Sequence, residues 1–426
     1  MKLIMKIENF DQLAVTDERK ALLAIAEAGL EAIDTKAVVR KLVAIDGNFL
    51  KIGNERIDLD PASKLVFIAV GKCAADAAEA FSAIAGDQVA RGVAVDVKDC
   101  LPLKNIRTFK GTHPLPSDDN LKAAEAIMES LQGLTDRDAV VFVISGGGST
   151  LLFLPQDRND RREAGIFNEL TRGGATIQEM NIVRKHLSLA RGGHLAEAAY
   201  PARVVSLIFS DVPGDDIASI SSGPTVKDDT TVEDAGKILK KYGAPDLPLI
   251  ETPKDSQYFE RVTNVLAVSN GVALAAMKKA AEERGFNAAI RDMKLAGEAA
   301  AVARKIADEI RAAPEKSALL WGGETTVTIR GNGEGGRNMT VSAAALEFIK
   351  EGEAILSFAS DGRDHSPYAG AICDTITKVA IEKAGVDVKK FLAENNTYPL
   401  FEKIGNYLLT GDTGSNVSDL IIALKQ

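Results

Sequence analysis

The sequence predicts an α/β protein built from two α/β domains. Continuous apolar runs of strand length alternate with segments of helical periodicity, the pattern of a parallel sheet covered by helices on both faces. A stretch dense in proline and charge, Pro245–Asp255, interrupts that alternation near mid-chain, after which it restarts. The length, 426 residues, suits two or three domains with ample core. The expected division is residues 1–250 and 256–426, with a ligand cleft between the domains as the default.

The elements follow in order. Leu22 to Ile33 carries helical periodicity, and Leu65–Val70 reads as a buried strand running into Gly71-Lys72. Ala74–Ala85 is predicted helical and Val89–Val95 extended. Leu121–Leu131 is a helix that precedes a strand at Ala139–Ile144. Ile177–Arg191 and His194–Ala199 are predicted helices, and Val204–Phe209 a strand ending at Ser210-Asp211. Beyond the break, Val265–Val268 is a strand, with helices at Gly271–Arg284 and Ala299–Arg311. Leu319–Trp321 and Thr326–Ile329 are strand-like around Gly322-Gly323-Glu324, and Val341–Ile349 is helical. Ile355–Ala359 is a strand, Thr375–Lys383 a helix and Leu420–Leu424 a closing strand.

Composition excludes several classes. With 46% hydrophobic and 26% charged residues the chain is an ordinary folded one. The formal net charge is −9, and Lys and Arg never cluster beyond pairs such as Lys240-Lys241, so nucleic-acid and anionic-membrane surfaces are disfavoured. No run approaches a membrane span, and Met1–Val15 lacks a signal-peptide core. Cys73, Cys100 and Cys373 are too far apart for a metal knuckle or a disulfide framework and read as small buried hydrophobes. A cytoplasmic protein is expected.

The strand ends carry the chemistry, because ligands of open parallel sheets sit at the carboxyl ends of strands. Directly after Val140–Ile144 comes Ser145-Gly146-Gly147-Gly148-Ser149-Thr150. Residues without side chains let backbone N–H groups converge on an anion, and a helix opening there would add its dipole. Gly71-Lys72, Ser210-Asp211, Gly322-Gly323-Glu324 and Ser360-Asp361-Gly362-Arg363-Asp364 end other strands, and Gly335-Gly336-Arg337-Asn338 forms a further glycine cluster. Singly, each has an ordinary reading as turn, cap or solvated side chain. Jointly they supply what phosphoryl transfer requires: anion-binding backbone, cations, and carboxylates for Mg²⁺ and a hydroxyl. The P-loop motif and the protein-kinase motifs are absent. Gly331-x-Gly333-x-x-Gly336 spells a dinucleotide fingerprint, with Asp361 roughly where a ribose-binding acid could fall.

Together these segments resemble the MOFRL-type glycerate kinases. Val70-Gly71-Lys72, the Ser145–Ser149 loop, Asn181–Ser188 with Gly192-Gly193, Ser210-Asp211-Val212, Ser222-Gly223-Pro224, Gly322–Thr325, Gly335–Asn338, Leu409-Thr410-Gly411 and Asn416–Ile421 match that family in order and spacing. The resemblance implies an N-terminal Rossmann-like domain and a smaller C-terminal MOFRL-type domain, with the active site in the cleft between them. It implies ATP-dependent, Mg²⁺-dependent phosphorylation of D-glycerate at the 2-hydroxyl, giving 2-phosphoglycerate and ADP, a step of non-phosphorylative sugar degradation. Some relatives carry a hydroxypyruvate reductase label, so an NAD(P)-dependent reductase is the alternative. A non-catalytic phosphosugar-binding module is a third class, and a homodimer is left open.

By matching position, Lys72 and Arg337 resemble the family's active-site cations, and Asp211 and Glu324 its carboxylates and metal ligands. Ser145, Gly146, Gly147, Gly148, Ser149, Gly335, Gly336, Asn338 and Asp361 are expected to bind the nucleotide or the acceptor; which glycine loop holds which is open. The segment Asp361–Gly370 departs from the family pattern by one lost position and one missing acid, and Met339-Thr340 replace the usual Gln-Glu. His113 and His186 also match, but four histidines without paired spacing do not make a metal site. Lys185 and Arg191 are candidates for the acceptor's carboxylate. Lys72→Ala and Arg337→Ala are expected to lower kcat with little loss of folded stability.

Overall fold

The computed structural model describes residues 5–158, 162–212, 214–245 and 247–426. The chain forms two compact units, Thr35–Ala267, and Met1–Asp34 together with Val268–Gln426.

The Thr35–Ala267 unit opens with a small antiparallel sheet of β1 (Val43–Asp46), β2 (Phe49–Ile52) and β3 (Glu55–Asp58). Its main sheet comprises β4 (Leu65–Val70), β5 (Val89–Asp96), β6 (Ile106–Lys110), β7 (Ala139–Ser145), β8 (Arg203–Phe209) and β9 (Val262–Val268), in the order β6-β5-β4-β7-β8-β9. β4 to β8 pair in parallel. Every residue of β4 and β7 is buried, because both faces of the sheet are covered. Val66, Ile68 and Val70 pack with Leu121 and Ile127 of the helix Asp118–Ser130. Phe67 points the other way and stacks on Phe81 of the helix Ala74–Ala85, with ring centroids 4.2 Å apart. Each such ring contributes roughly 1.5–3 kcal/mol by leaving water. Period-two alternation is therefore absent, and the continuous apolar run is the correct sign of this Rossmann-like sheet.

The second unit carries β10 (Asn287–Glu298), β11 (Ser317–Thr326), β12 (Glu353–Ala359), β13 (Gly370–Cys373), β14 (Tyr407–Leu408) and β15 (Asp419–Lys425), in the order β10-β11-β15-β12-β13-β14. Only β10 and β11 pair in parallel; β15 runs antiparallel between β11 and β12. The sheet is mixed, since an apolar run shows that a strand is buried and not which way it points.

The division of the chain differs from the expected 1–250 and 256–426. The first 34 residues pack with the C-terminal part. Helix Asp17–Ala32 lies against helix Asn270–Glu282 so closely that a Cβ on Gly29 would stand 2.7 Å from Met277. Arg19 grips Asp374 through Nε and Nη2 at 2.6 and 2.7 Å, both side chains buried. The described part of the stretch 245–255 is no linker. It straps its own unit: the Ile250 amide donates to the His186 carbonyl (2.8 Å), and the Thr252 hydroxyl to Asp228 (3.1 Å). Proline and charge mark loops whether or not a loop joins domains.

Candidate active site

The register β5-β4-β7-β8 sets three predicted segments side by side. Val70 pairs with Ile144 and Ser145 with Phe209, so Gly71-Lys72, the glycine loop and Ser210-Asp211 leave neighbouring strand ends. Approach between them is close. A Cβ on Gly71 would stand 2.1 Å from the Ser145 hydroxyl, and one on Gly146 1.8 Å from a carboxylate oxygen of Asp211. Gly147, at φ +83°, lies against the Lys72 side chain and the His113 ring, 3.3 and 3.5 Å from where its Cβ would be. Thus Asp211, Lys72 and His113 all face one three-glycine loop. Backbone bonds fix it: the Lys72 amide donates to the Gly146 carbonyl at 3.0 Å, and the Ser221 hydroxyl to the Ser145 carbonyl at 2.7 Å. Ser149 bonds to Ser222, hydroxyl to hydroxyl, at 2.9 Å. Ser145 is turned inward, its hydroxyl accepting from the Cys73 amide and donating to the Val70 carbonyl, both at 3.3 Å.

Lys72 is exposed and makes no ion pair among the described residues. His113 is placed by Asn120, whose side chain binds both Thr112 backbone groups and the Thr150 carbonyl. Atoms packed against the His113 ring, then the charges of Lys72 and Arg184, hold its pKa below the ordinary histidine value. The helix after the loop, Gly148–Leu151, is a single turn. An anion at this loop would therefore meet backbone N–H groups and Lys72 rather than a long helix dipole.

A second cluster forms in the other unit at the ends of β11, β15 and β12. Gly323 and Ala359 both pair with Asp419, so Glu324, near the end of β11, and Asp361, just past β12, lie at the ends of the strands that flank it. Arg337, the first residue of helix Arg337–Ala345, donates from Nε to Asp419 (2.6 Å) and from Nη1 to Glu324 (2.8 Å). Asn338 is buried, donating to Asp419 (2.8 Å) and Asp364 (3.2 Å) and accepting from Ser357 (2.7 Å). Asp364 caps the helix through the amides of Asn338 (3.1 Å) and Met339 (2.7 Å), and a Cβ on Gly336 would collide with it. Burial, with help from Asp419, pushes the Asp364 pKa up to about 6. Burial also raises Asp419, against the pull of Arg337. Asp361 closes a short turn onto the Arg363 amide.

The predicted residues thus form two groups: Lys72, Asp211 and Ser145–Ser149 in one unit, and Glu324, Gly335, Gly336, Arg337, Asn338 and Asp361 in the other. Asn120, Asp419 and Asp364 carry no role in the sequence reading; Asp419 lies inside the Asn416–Ile421 match, and an acid at the start of an apolar strand is its signal. Lys185 and Arg191 do not offer free charge. Lys185 pairs with buried Asp228 (3.0 Å) and Arg191, fully buried, with Glu163 (2.9 Å). The predicted helix Ile177–Arg191 ends at Lys185. His186 is a core residue bound to the Ile250 carbonyl at 2.7 Å.

The first amides of the Gly331-x-Gly333-x-x-Gly336 segment are already engaged within the protein. The amides of Arg330 and Gly331 donate to Asn395, that of Gly333 to the Glu394 carbonyl, and that of Glu334 to Asn396. Among the described residues no group of three or more His, Cys, Asp or Glu is placed to hold a metal. Mg²⁺ needs no such group, since it is held by one or two carboxylates, waters and substrate phosphates. No helix among the described residues is long and apolar enough to cross a membrane.

Comparison with known proteins agrees with the geometry. A domain of unknown function, DUF4147, matches residues 21–250, and the MOFRL family matches residues 317–419. The chain is 35% identical to the D-glycerate 2-kinase of Thermotoga maritima over 95% of this chain and 98% of that one. It is 38% identical to an Agrobacterium vitis protein provisionally named a hydroxypyruvate reductase, over 84% of this chain and 87% of the other. The crystal structure of glycerate kinase from Thermotoga maritima superposes with a TM-score of 0.86 at 33% identity, covering 96% of this chain and 99% of that one. The chain belongs to the glycerate 2-kinase family, in which a DUF4147 domain is joined to a MOFRL domain.

Proposed function

We propose that this chain is an ATP-dependent kinase that phosphorylates D-glycerate at the 2-hydroxyl, giving 2-phosphoglycerate and ADP. The observation that carries the reading is the convergence of Lys72 and Asp211 on the three-glycine loop: a cation and a carboxylate beside an anion-binding backbone. A pure phosphate binder would gain nothing from the negative charge. Lys72 neutralises charge spreading over the transferring phosphoryl group, while Arg337, held between Asp419 and Glu324, orders the second cluster. Asp211 takes the proton of the acceptor hydroxyl as its oxygen bonds to the γ-phosphorus and the bond to ADP breaks. Mg²⁺, when bound, would supply charge neutralisation on the phosphates; Asp211 at the glycine loop and, separately, Glu324 in its own cluster are carboxylates with the chemistry to hold it, in part through water.

The A. vitis name gives the reductase reading its one support. Against it stands the fingerprint loop, where the amides of Gly331, Gly333 and Glu334 are already taken by Asn395, Glu394 and Asn396. One assay separates the two. ATP, D-glycerate and Mg²⁺ should yield ADP, with NADH and NADPH left unconsumed by hydroxypyruvate. Reduction of NAD(P)⁺ by glycerate without ADP formation would hand the case to the reductase.

A further inference from the structure

Three basic residues lie in and just after the helix Ile177–Lys185, and two of them are neutralised by the ion pairs of Lys185 and Arg191 described above. Arg184 is different. Its guanidinium is half-buried, lies over the Phe167 ring at 4.3 Å, and has no carboxylate within ion-pair distance among the described residues. A cation–π contact holds such a group in position but does not neutralise it. A partly desolvated guanidinium with no counter-ion among the described residues is costly to keep, and perturbed charges of this kind gather at functional sites.

The helix face supplies direction. Asn181 stands three residues before Arg184 and so shares its face. The Asn181 side-chain oxygen is 3.5 Å from the Ser222 hydroxyl, which is itself 2.9 Å from the Ser149 hydroxyl at the end of the glycine loop. The His113 ring stands 3.5 Å from where a Cβ on Gly147 would be, and it feels the charges of both Lys72 and Arg184. Burial first, then repulsion from Arg191, lowers the Arg184 pKa to about 10, with Glu163 opposing. That value still leaves it a full cation at neutral pH.

We propose that Arg184 binds the carboxylate of the acceptor and sets the preference for an acidic substrate, while Lys72 serves the phosphoryl group. This rests on the glycerate kinase reading above and deepens it. A guanidinium offers two parallel N–H donors to a carboxylate, a geometry that a lysine ammonium cannot copy.

The test is a split between Michaelis constants. Arg184→Gln should raise the KM for D-glycerate about 10²-fold, as for loss of a charged hydrogen-bonded pair, with the KM for ATP unchanged. Arg184→Lys should fall between, near 10-fold, and keeps the test alive if the glutamine variant fails to fold. An unchanged KM for D-glycerate, or a rise in the KM for ATP instead, would overturn the assignment. Calorimetric titration of D-glycerate into the unmodified protein and the variants separates this failure from failure of the kinase reading. If the protein binds D-glycerate but makes no ADP from it, the kinase reading fails, and binding lost in Arg184→Gln still sustains the carboxylate site. Equal binding by all forms, or no binding by the unmodified protein, overturns the site.

Discussion

The two predicted active-site cations differ in what each one's neighbours ask of it. Lys72 is exposed and lies along Gly147. Lys72→Ala should lower kcat by roughly 10²-fold or more, while the melting temperature stays within a degree or two of the unmodified protein. Arg337 also neutralises buried Asp419, so the expectation of an untouched fold does not carry over. Arg337→Ala leaves that acid unpaired and should cost about 2–4 kcal/mol of stability besides the loss of rate. Chemical denaturation of both variants checks the contrast. Asp364 gives a pH prediction with a definite sign. Its native pKa is raised from the ordinary 3.8 to about 6, so its contribution to stability is full below about pH 4 and lost as pH rises through 6. Asp364→Asn should therefore gain on the unmodified protein by about 2–3 kcal/mol between pH 4 and pH 7. A difference that stays flat with pH would refute the raised pKa.

At the scale of elements, the glycine loop is the part most exposed to substitution. Gly146→Ala puts a methyl group where the Asp211 carboxylate sits, and Gly147→Ala imposes a side chain at φ +83° beside Lys72. Both should lose activity by orders of magnitude, whereas Gly53→Ala, also at positive φ but with nothing within 4 Å, should cost only about 1 kcal/mol of stability and no activity. Assay beside thermal melting reads the two effects apart. The loop was legible because glycine, serine and a preceding apolar strand are local signals. So were β4 and β7 and the helix Ala74–Ala85, found at its true limits. What was illegible is non-local. Nothing in the run Leu420–Leu424 says that it enters antiparallel between β11 and β12, and that insertion is what sets Asp419 against Arg337. Likewise Arg184, Lys185 and Arg191 are equivalent cations in sequence. Only the positions of Asp228 and Glu163 distinguish them.

For the molecule as a whole, chain order misstates the units. Residues 1–34 complete the unit formed by the C-terminal part, through helix Asp17–Ala32 and the Arg19–Asp374 pair. A fragment of residues 256–426 should show no cooperative melting alone, and should regain it when residues 1–34 are fused to it. The sequence could not reveal this, because both helices read equally well as members of either domain, and only contacts such as the Gly29–Met277 approach and the Arg19–Asp374 pair decide between them. The function of the whole chain rests on one claim, that it transfers a phosphoryl group from ATP to the 2-hydroxyl of D-glycerate. Enolase consumes 2-phosphoglycerate and not its 3-isomer, so coupling the reaction to enolase without a phosphoglycerate mutase measures that claim directly. Immediate enolase-dependent turnover from ATP and D-glycerate is expected. Turnover only after mutase is added, or no ADP at all, would contradict it.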